Sequence, residues 1–154
     1  MKRVLSVIAL GAIFLLVVTG AYRIYHRSIV AAPAQVQGLR AIQLRGQIIR
    51  VSVADTESAR GQGLSGRAGL AADEGMLFVF PKDGNYAFWM KDMLFSIDIL
   101  WLSSDGGVVY MAQNVSPDTY PQAFQPNVPA RYVLELPEGF AKEHAVAIGD
   151  IVRL

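Results

Sequence analysis

The stretch E-G-M-L-F-V-F-P-K-D-G-N (Glu74–Asn85), continued by Y-A-F-W-M-K-D-M (Tyr86–Met93) and S-I-D-I-L-W-L (Ser96–Leu102), decides the fold. Met76 to Phe80 is an unbroken apolar run closed by Pro81, and Lys82 to Asn85 has the D-G-N composition of a turn. Strands are expected next at Tyr86–Met90 and Ser96–Leu102. Single charges, Glu74, Lys91 and Asp98, stand among these large apolar side chains. A charge in such surroundings needs a partner, water or a ligand, so this block is where function is sought first.

Outward from it, period-two patterns prevail. Ile48–Val53 alternates as a half-buried strand does, and Thr56–Leu64 reads as a short helix capped by Asp55 or Thr56 and ended by Gly61, Gly63 and Gly66. The S-S-D-G-G segment after Leu102 predicts a hairpin returning through Val108–Ala112. Pro117, Pro121, Pro126 and Pro129 cannot donate to a ladder, which makes residues 116–130 irregular surface or edge. Arg131–Leu136 is a further strand, Phe140–Ala145 a short helix, and Ile148–Leu154 closes the domain. About seven or eight short strands define a mainly β fold, a compact β-sandwich or small partly open barrel with one or two short helices.

An N-terminal transmembrane helix is expected ahead of that domain. Val4 to Tyr22 is nineteen residues without a charge, long enough as a helix to approach the ~30 Å hydrocarbon core of a bilayer. Lys2 and Arg3 fit the n-region of a cleaved signal peptide equally, but the apolar run exceeds the usual ~7–15 residues, and Arg23, His26 and Arg27 stand where small residues mark cleavage. Residues 1–27 are therefore an anchor or signal segment, 28–40 a linker containing A-A-P-A-Q-V-Q-G, and 41–154 one β-rich domain. The membrane is the expected partner of residues 4–22.

The first 53 residues carry seven Lys or Arg and no acid, whereas the rest carry seven basic and thirteen acidic residues. An acidic domain without a basic aromatic motif disfavours nucleic acid. The absence of cysteine removes disulfides, thiolate metal sites and cysteine nucleophiles.

The candidate chemistry lies in the isolated polar residues. Alternation sets Ser96, Asp98 and Leu100 on one face of their strand, and Arg131, Val133 and Glu135 on one face of theirs. Asp98 has two readings, a cross-strand ion pair with Lys91 or an arginine, or a carboxylate at the floor of a pocket. Asp98 with Glu135 is the minimum pair for acid/base hydrolysis. Arg67, in the glycine-rich loop Gly63–Gly75, suits a carboxylate or phosphate, and the competing reading pairs it with Glu74 or Glu135. Tyr86, Phe88 and Trp89 offer stacking faces, although alternation turns Trp89 away from the other two. Met76, Met90, Met93, Met111 and His144 are soft-metal donors by type, but methionine in a β protein more often fills the core. Ser65 with His144 is a weaker nucleophile reading, since G-L-S-G-R is not a nucleophile elbow. No metal and no cofactor is assigned.

The ordered series R-G-Q-G-L-S-G-R-A-G-L (Arg60–Leu70), E-G-M-L-F-V-F, F-W-M-K-D-M, I-D-I-L-W, R-Y-V-L-E-L-P-E-G and I-G-D-I-V resembles domain-of-unknown-function family 192 of bacteria and archaea, from about Gln47 to Leu154. The resemblance implies a compact, mainly β fold, often behind a signal peptide or anchor, and it implies no activity. Arg67, Glu74, Met76, Phe78, Trp89, Met90, Lys91, Asp98 and Glu135 fall on recurrent positions of the pattern. Asp92 stands where such proteins generally have asparagine, and Phe95-Ser96 where a proline is usual.

Together these readings describe a membrane-anchored, extracytoplasmic β domain acting as a non-enzymatic ligand-binding or accessory module. Its site would comprise Arg67, Glu74, Trp89, Lys91, Asp98 and Glu135, with Arg67 and Lys91 meeting a small anionic ligand. The alternatives are a hydrolase using Asp98 and Glu135, and a protein-interaction module working through residues 116–130 around Tyr120 and Phe124.

Overall fold

The computed structural model describes residues 37–154. The anchor expected at 1–27 and most of the 28–40 linker lie outside the described residues. Among those described, no helix is long and apolar enough to cross a membrane.

The first strand, β1 (Gln37–Leu44), begins inside the stretch expected to be linker. Its signal was the alternation in A-I-Q-L, where Ile42 and Leu44 turn inward and are buried. β1 returns as β2 (Gln47–Ala54) through the two-residue turn Arg45-Gly46, both at positive φ (52° and 82°). That is the turn geometry whose twist suits a tight hairpin, and glycine takes it without strain.

Helix α1 (Glu57–Gln62) follows, its amino end capped where Thr56 accepts a hydrogen bond from the Ala59 amide. The chain then enters β3 (Glu74–Gly84), which runs parallel to β2. A parallel neighbour cannot be reached by a tight turn, so α1 and the loop after it form a crossover. Leu64 from that crossover is buried in an apolar cluster with Met76 and Phe78.

The expected stop at Pro81 is not where β3 ends. The strand continues to Gly84, and Pro81 falls between Val79 and Gly84, where the register with the neighbouring strand shifts. Proline is tolerated there because no regular ladder bond is asked of it. Only Phe88–Trp89 of the strand expected at 86–90 forms β4, paired with β7 (Ala123–Phe124) from the proline-rich segment. That segment also holds a 3-10 turn at Pro117–Thr119.

The remaining elements are β5 (Ile97–Leu102), β6 (Val108–Val115), β8 (Ala130–Pro137) and α2 (Phe140–Glu143). The principal sheet has six strands in the order β1-β2-β3-β8-β5-β6. Among the described residues it does not close into a barrel by strand pairing, and the other sheet there is the two-stranded β4-β7. The C-terminal segment instead bridges to β1 at Gln43↔Arg153 and to the β5–β6 turn at Gly107↔Ile151.

This topology buries the middle strands β3, β8 and β5 on both faces. One face packs Leu77, Leu100, Leu102, Leu134 and Leu136 against Ile42, Val108, Phe140 and Val152. The opposite face packs Phe78, Ile97, Ile99, Trp101 and Val133 against Leu64, Met90 and Met93. Every residue of β5 is buried, as expected of a strand with no solvent side. β3 and β8 also approach closely: a Cβ added at Gly75 would lie 2.7 Å from the Glu135 carbonyl oxygen. A side chain there would force the two strands apart.

Asp98, fully buried on β5, is satisfied by backbone amides and not by the cross-strand ion pair expected with Lys91 or an arginine. Its Oδ1 accepts from the Asn114 amide at 2.8 Å and its Oδ2 from the Ala141 amide at 2.8 Å. Asn114 sits at φ 51° in β6, whose register with β5 shifts between Ile97 and Ile99. Ala141 is in the first turn of α2, where Gly139 at the cap position has no side chain to do the capping. One carboxylate thus holds an irregular strand and a short helix to the core.

Asp98→Ala should strand both amides in an apolar interior and lower unfolding free energy by about 3 kcal/mol. Asp98→Asn, which keeps one acceptor, should cost less. Urea denaturation of the two variants against the wild type measures the difference.

Candidate functional site

A pocket of about 330 Å³ opens where the crossover passes over the sheet. α1 and the following turn supply Glu57, Arg60, Leu64 and Ser65, β3 supplies Phe78 and Phe80, and the segment around β4 supplies Tyr86, Phe88 and Trp89. Glu135, from β8, also lines it.

The aromatic wall is pre-organised by packing. Phe88 meets Phe78 edge-on at 4.8 Å and Trp101 at 5.8 Å, and Phe80 stacks on Tyr86 with ring centroids 3.5 Å apart. The Trp101 indole N–H donates to the Tyr86 carbonyl at 2.8 Å, fixing the segment to β5. Trp89 is 58% exposed and lies at the pocket's outer side. Tyr86, Phe88 and Trp89 therefore line one pocket, contrary to the alternation reading, because β4 is only two residues long.

Arg60 is held in place. Its Nη1 donates to the carbonyls of Asp55 at 2.6 Å and Val79 at 2.8 Å, while the guanidinium lies over the Phe80 ring at 5.2 Å. Cation–π stacking and two carbonyl acceptors make Arg60 part of the wall.

Glu135 is the unusual group. Its register partners are Met76 on β3 and Ile99 on β5, both buried and apolar, and Glu135 itself is 5% exposed. Oε2 is buried without a hydrogen-bond partner. Burial away from water raises its pKa from 4.5 to about 8, and the positive charge of Arg67 acts in the opposite direction. At neutral pH the carboxyl is mostly protonated, a donor as much as an acceptor.

The other expected site residues are distributed around this pocket. Arg67 and Glu74 line a neighbouring recess with Arg50 and Ser52. Glu74 pairs with Arg50 at 3.3 Å, and Arg50 holds Asp73 by two 2.9 Å contacts, so Arg67 is not the partner of Glu74. Lys91 is exposed, and its carbonyl accepts from Ser65 Oγ at 2.9 Å. Asp98 belongs to the opposite face of the sheet, since it pairs in register with Leu136 whereas Glu135 pairs with Ile99. Asp98 and Glu135 consequently share no cleft, and the paired-carboxylate hydrolase has no geometry to work with.

The remaining alternatives separate in the same way. Met76 and Met90 fill the apolar cluster on the Glu135 face, Met93 of the same cluster also lines the pocket, and Met111 packs on the other face. His144 lies against Phe140 at 4.4 Å and Ser65 on the pocket side, so no nucleophile–base pair forms between them. Sequence reasoning overlooked Arg60 and Phe80. The period-two spacing of Phe78 and Phe80 was a usable signal, and Arg60 stands at the head of the R-G-Q-G-L-S-G-R-A-G-L series.

A two-faced β domain with one aromatic pocket over an unpaired buried acid is the class that fold and site define. The chain belongs to domain-of-unknown-function family 192, an uncharacterized ACR family, whose model matches residues 40–154. A protein from Sinorhizobium meliloti 1021, described as a candidate transcription regulator, is 31% identical and superposes with a TM-score of 0.70, the match covering 76% of this chain and 95% of that one. A protein of unknown function from Novosphingobium aromaticivorans DSM 12444 is 28% identical with a TM-score of 0.72, covering 81% of this chain and 94% of that one. No curated protein matches the chain.

The raised pKa of Glu135 fixes the sign of its effect on stability. Between pH 4.5 and about 8 the folded state keeps a proton that the unfolded state releases, so stability falls as pH rises through that window. The contribution amounts to on the order of 5 kcal/mol across it. Glu135→Gln should flatten that slope and be the more stable protein near pH 9. Thermal melts of both proteins at pH 5, 7 and 9 provide the comparison, and equal slopes would contradict the assignment.

Proposed function

We propose that this domain is a non-enzymatic small-molecule binding module, carried on the outer side of a membrane by the apolar segment 4–22. The observation that carries the reading is the pocket itself: pre-packed aromatic faces converge with one buried, unpartnered carboxyl. Binding sites commonly combine a mainly apolar concavity with a few polar groups that set orientation. The ligand would lie against Phe88 and Trp89 and make its principal polar contact with Glu135. Arg67 and Lys91 do not line this pocket, so the anionic ligand they would favour belongs to a different surface.

Glu57 and Ser65 line the pocket with Glu135, but the Ser65 hydroxyl donates to the Lys91 carbonyl at 2.9 Å and is bonded to neither carboxyl, which favours binding over catalysis. The Sinorhizobium protein's description raises transcriptional control as another role. The excess of acidic over basic residues after Val53 weighs against a phosphate-contacting surface.

Calorimetric titration of the full chain with a panel of monosaccharides, nucleobases and alkylammonium salts tests the proposal. At least one class should bind saturably, and Trp89→Ala should weaken it about tenfold, or ~1.4 kcal/mol. A panel without saturable binding, or a ligand indifferent to both Trp89→Ala and Phe88→Ala, would remove the pocket from consideration.

A further inference from the structure

Resting on the binding reading above, we propose that the pocket selects an organic cation of the alkylated ammonium type, held between the faces of Phe88 and Trp89 and the Glu135 carboxylate, and that binding expels the Glu135 proton.

Three observations on the pocket converge on positive charge. The first is that five residues of the lining, Phe78, Phe80, Tyr86, Phe88 and Trp89, are aromatic, and aromatic faces present negative electrostatic potential to a cation. A second is that the buried Oε2 of Glu135 has no donor from the protein, leaving a site for the ligand's own positive group. The third is that the positive side chain already in the pocket, Arg60, is spoken for by the Asp55 and Val79 carbonyls and the Phe80 ring. A hydrogen-bonding ammonium or a sugar would need several free polar partners, but Gln62 and Ser65 in the lining already donate to the Ser65 and Lys91 carbonyls. An alkylated ammonium needs none beyond the carboxylate and the rings, because its charge is spread over methyl groups.

The groups around Glu135 set its proton balance. Met76 on β3 and Ile99 on β5 flank it and carry no charge. From the crossover come Glu57 and Arg60 on α1, opposite in sign and one helical turn apart, and Arg67, whose positive charge favours the ionised carboxyl. β4 contributes no ionisable group, and Lys91 just beyond it is outside the lining. Burial outweighs Arg67, and the carboxyl holds its proton up to about pH 8. A bound cation supplies the missing counter-charge, so the O–H bond breaks, the electron pair stays on the carboxylate and the proton passes to solvent. Affinity for the cation should then rise about tenfold per pH unit from pH 6 towards 8 and level off above about 9.

The test uses the full chain in maltoside micelles, titrated with tetramethylammonium chloride and, in parallel, with its neutral isostere tert-butanol. The readout is the Trp89 indole N–H resonance at pH 6, 7, 8 and 9. Tetramethylammonium should shift that resonance with the pH dependence above, tert-butanol should bind at least tenfold more weakly at pH 9, and Glu135→Gln should abolish both the preference and the pH dependence. Glu135→Met, which replaces the acid by an apolar side chain of similar length, guards against a folding defect in the first variant, and the Trp101 indole resonance reports an intact core in each. Equal binding of the two probes, or a cation affinity that ignores pH, overturns the charge selection while leaving a binding pocket in place. Failure of both probes to move the Trp89 resonance overturns the inference outright, and the panel titration then judges the binding reading separately.

Discussion

The structure depends on a constraint of coverage: β3, β8 and β5 form the middle of the sheet and are packed with side chains on both faces. Along β5 and the central parts of β3 and β8 no solvent side remains to receive a polar residue. Among the described residues the buried ionisable groups are Asp98 and Glu135, on adjacent strands and opposite faces. Their fates differ because their surroundings do. Asp98 meets two backbone amides that need an acceptor, and it becomes a structural tie. Glu135 keeps one oxygen without a protein donor, and it becomes the polar point of a pocket.

The pocket follows from the one parallel pairing in the main sheet. Since β2 and β3 run in the same direction, the chain must travel back along the sheet between them, and α1 with its following turn is laid over the face that bears Glu135. The second wall is the short β4-β7 pair, to which the proline-rich segment contributes a strand. That segment is mostly exposed, as expected, and its one strand, β7, is an edge of the two-stranded sheet. Its pairing positions Phe88 against Phe78 and Trp101, so a stretch unsuited to the main ladder supports the aromatic wall.

Much of the β character was legible, for a physical reason: inward and outward positions alternate wherever one face is buried, and β2, β5 and β8 are recovered close to their observed limits. The misreadings also have causes. The start of β1 reads as linker because Leu39, Arg40 and Ala41 are exposed and the inward apolar positions are confined to Ile42 and Leu44. β3 was cut short at Pro81 because a proline inside a bulge looks locally the same as a proline ending a strand. Trp89 was turned away from Tyr86 and Phe88 by an alternation rule that needs a longer strand than β4 supplies.

Family membership, the mainly β character, the acidic balance of the domain and the cost of burying Asp98 or Glu135 are all readable along the chain. Those properties follow from composition, periodicity and motif order, which are local or additive along the chain. Only tertiary structure decided that the two carboxylates stand on opposite faces, that Arg60 is fixed by carbonyls at residues 55 and 79, and that the aromatic residues share one pocket with Glu135. Such outcomes depend on register and on which backbone donors arrive from distant elements. A buried charge declares its need for a partner in the sequence, but the partner's identity is a property of the packed fold.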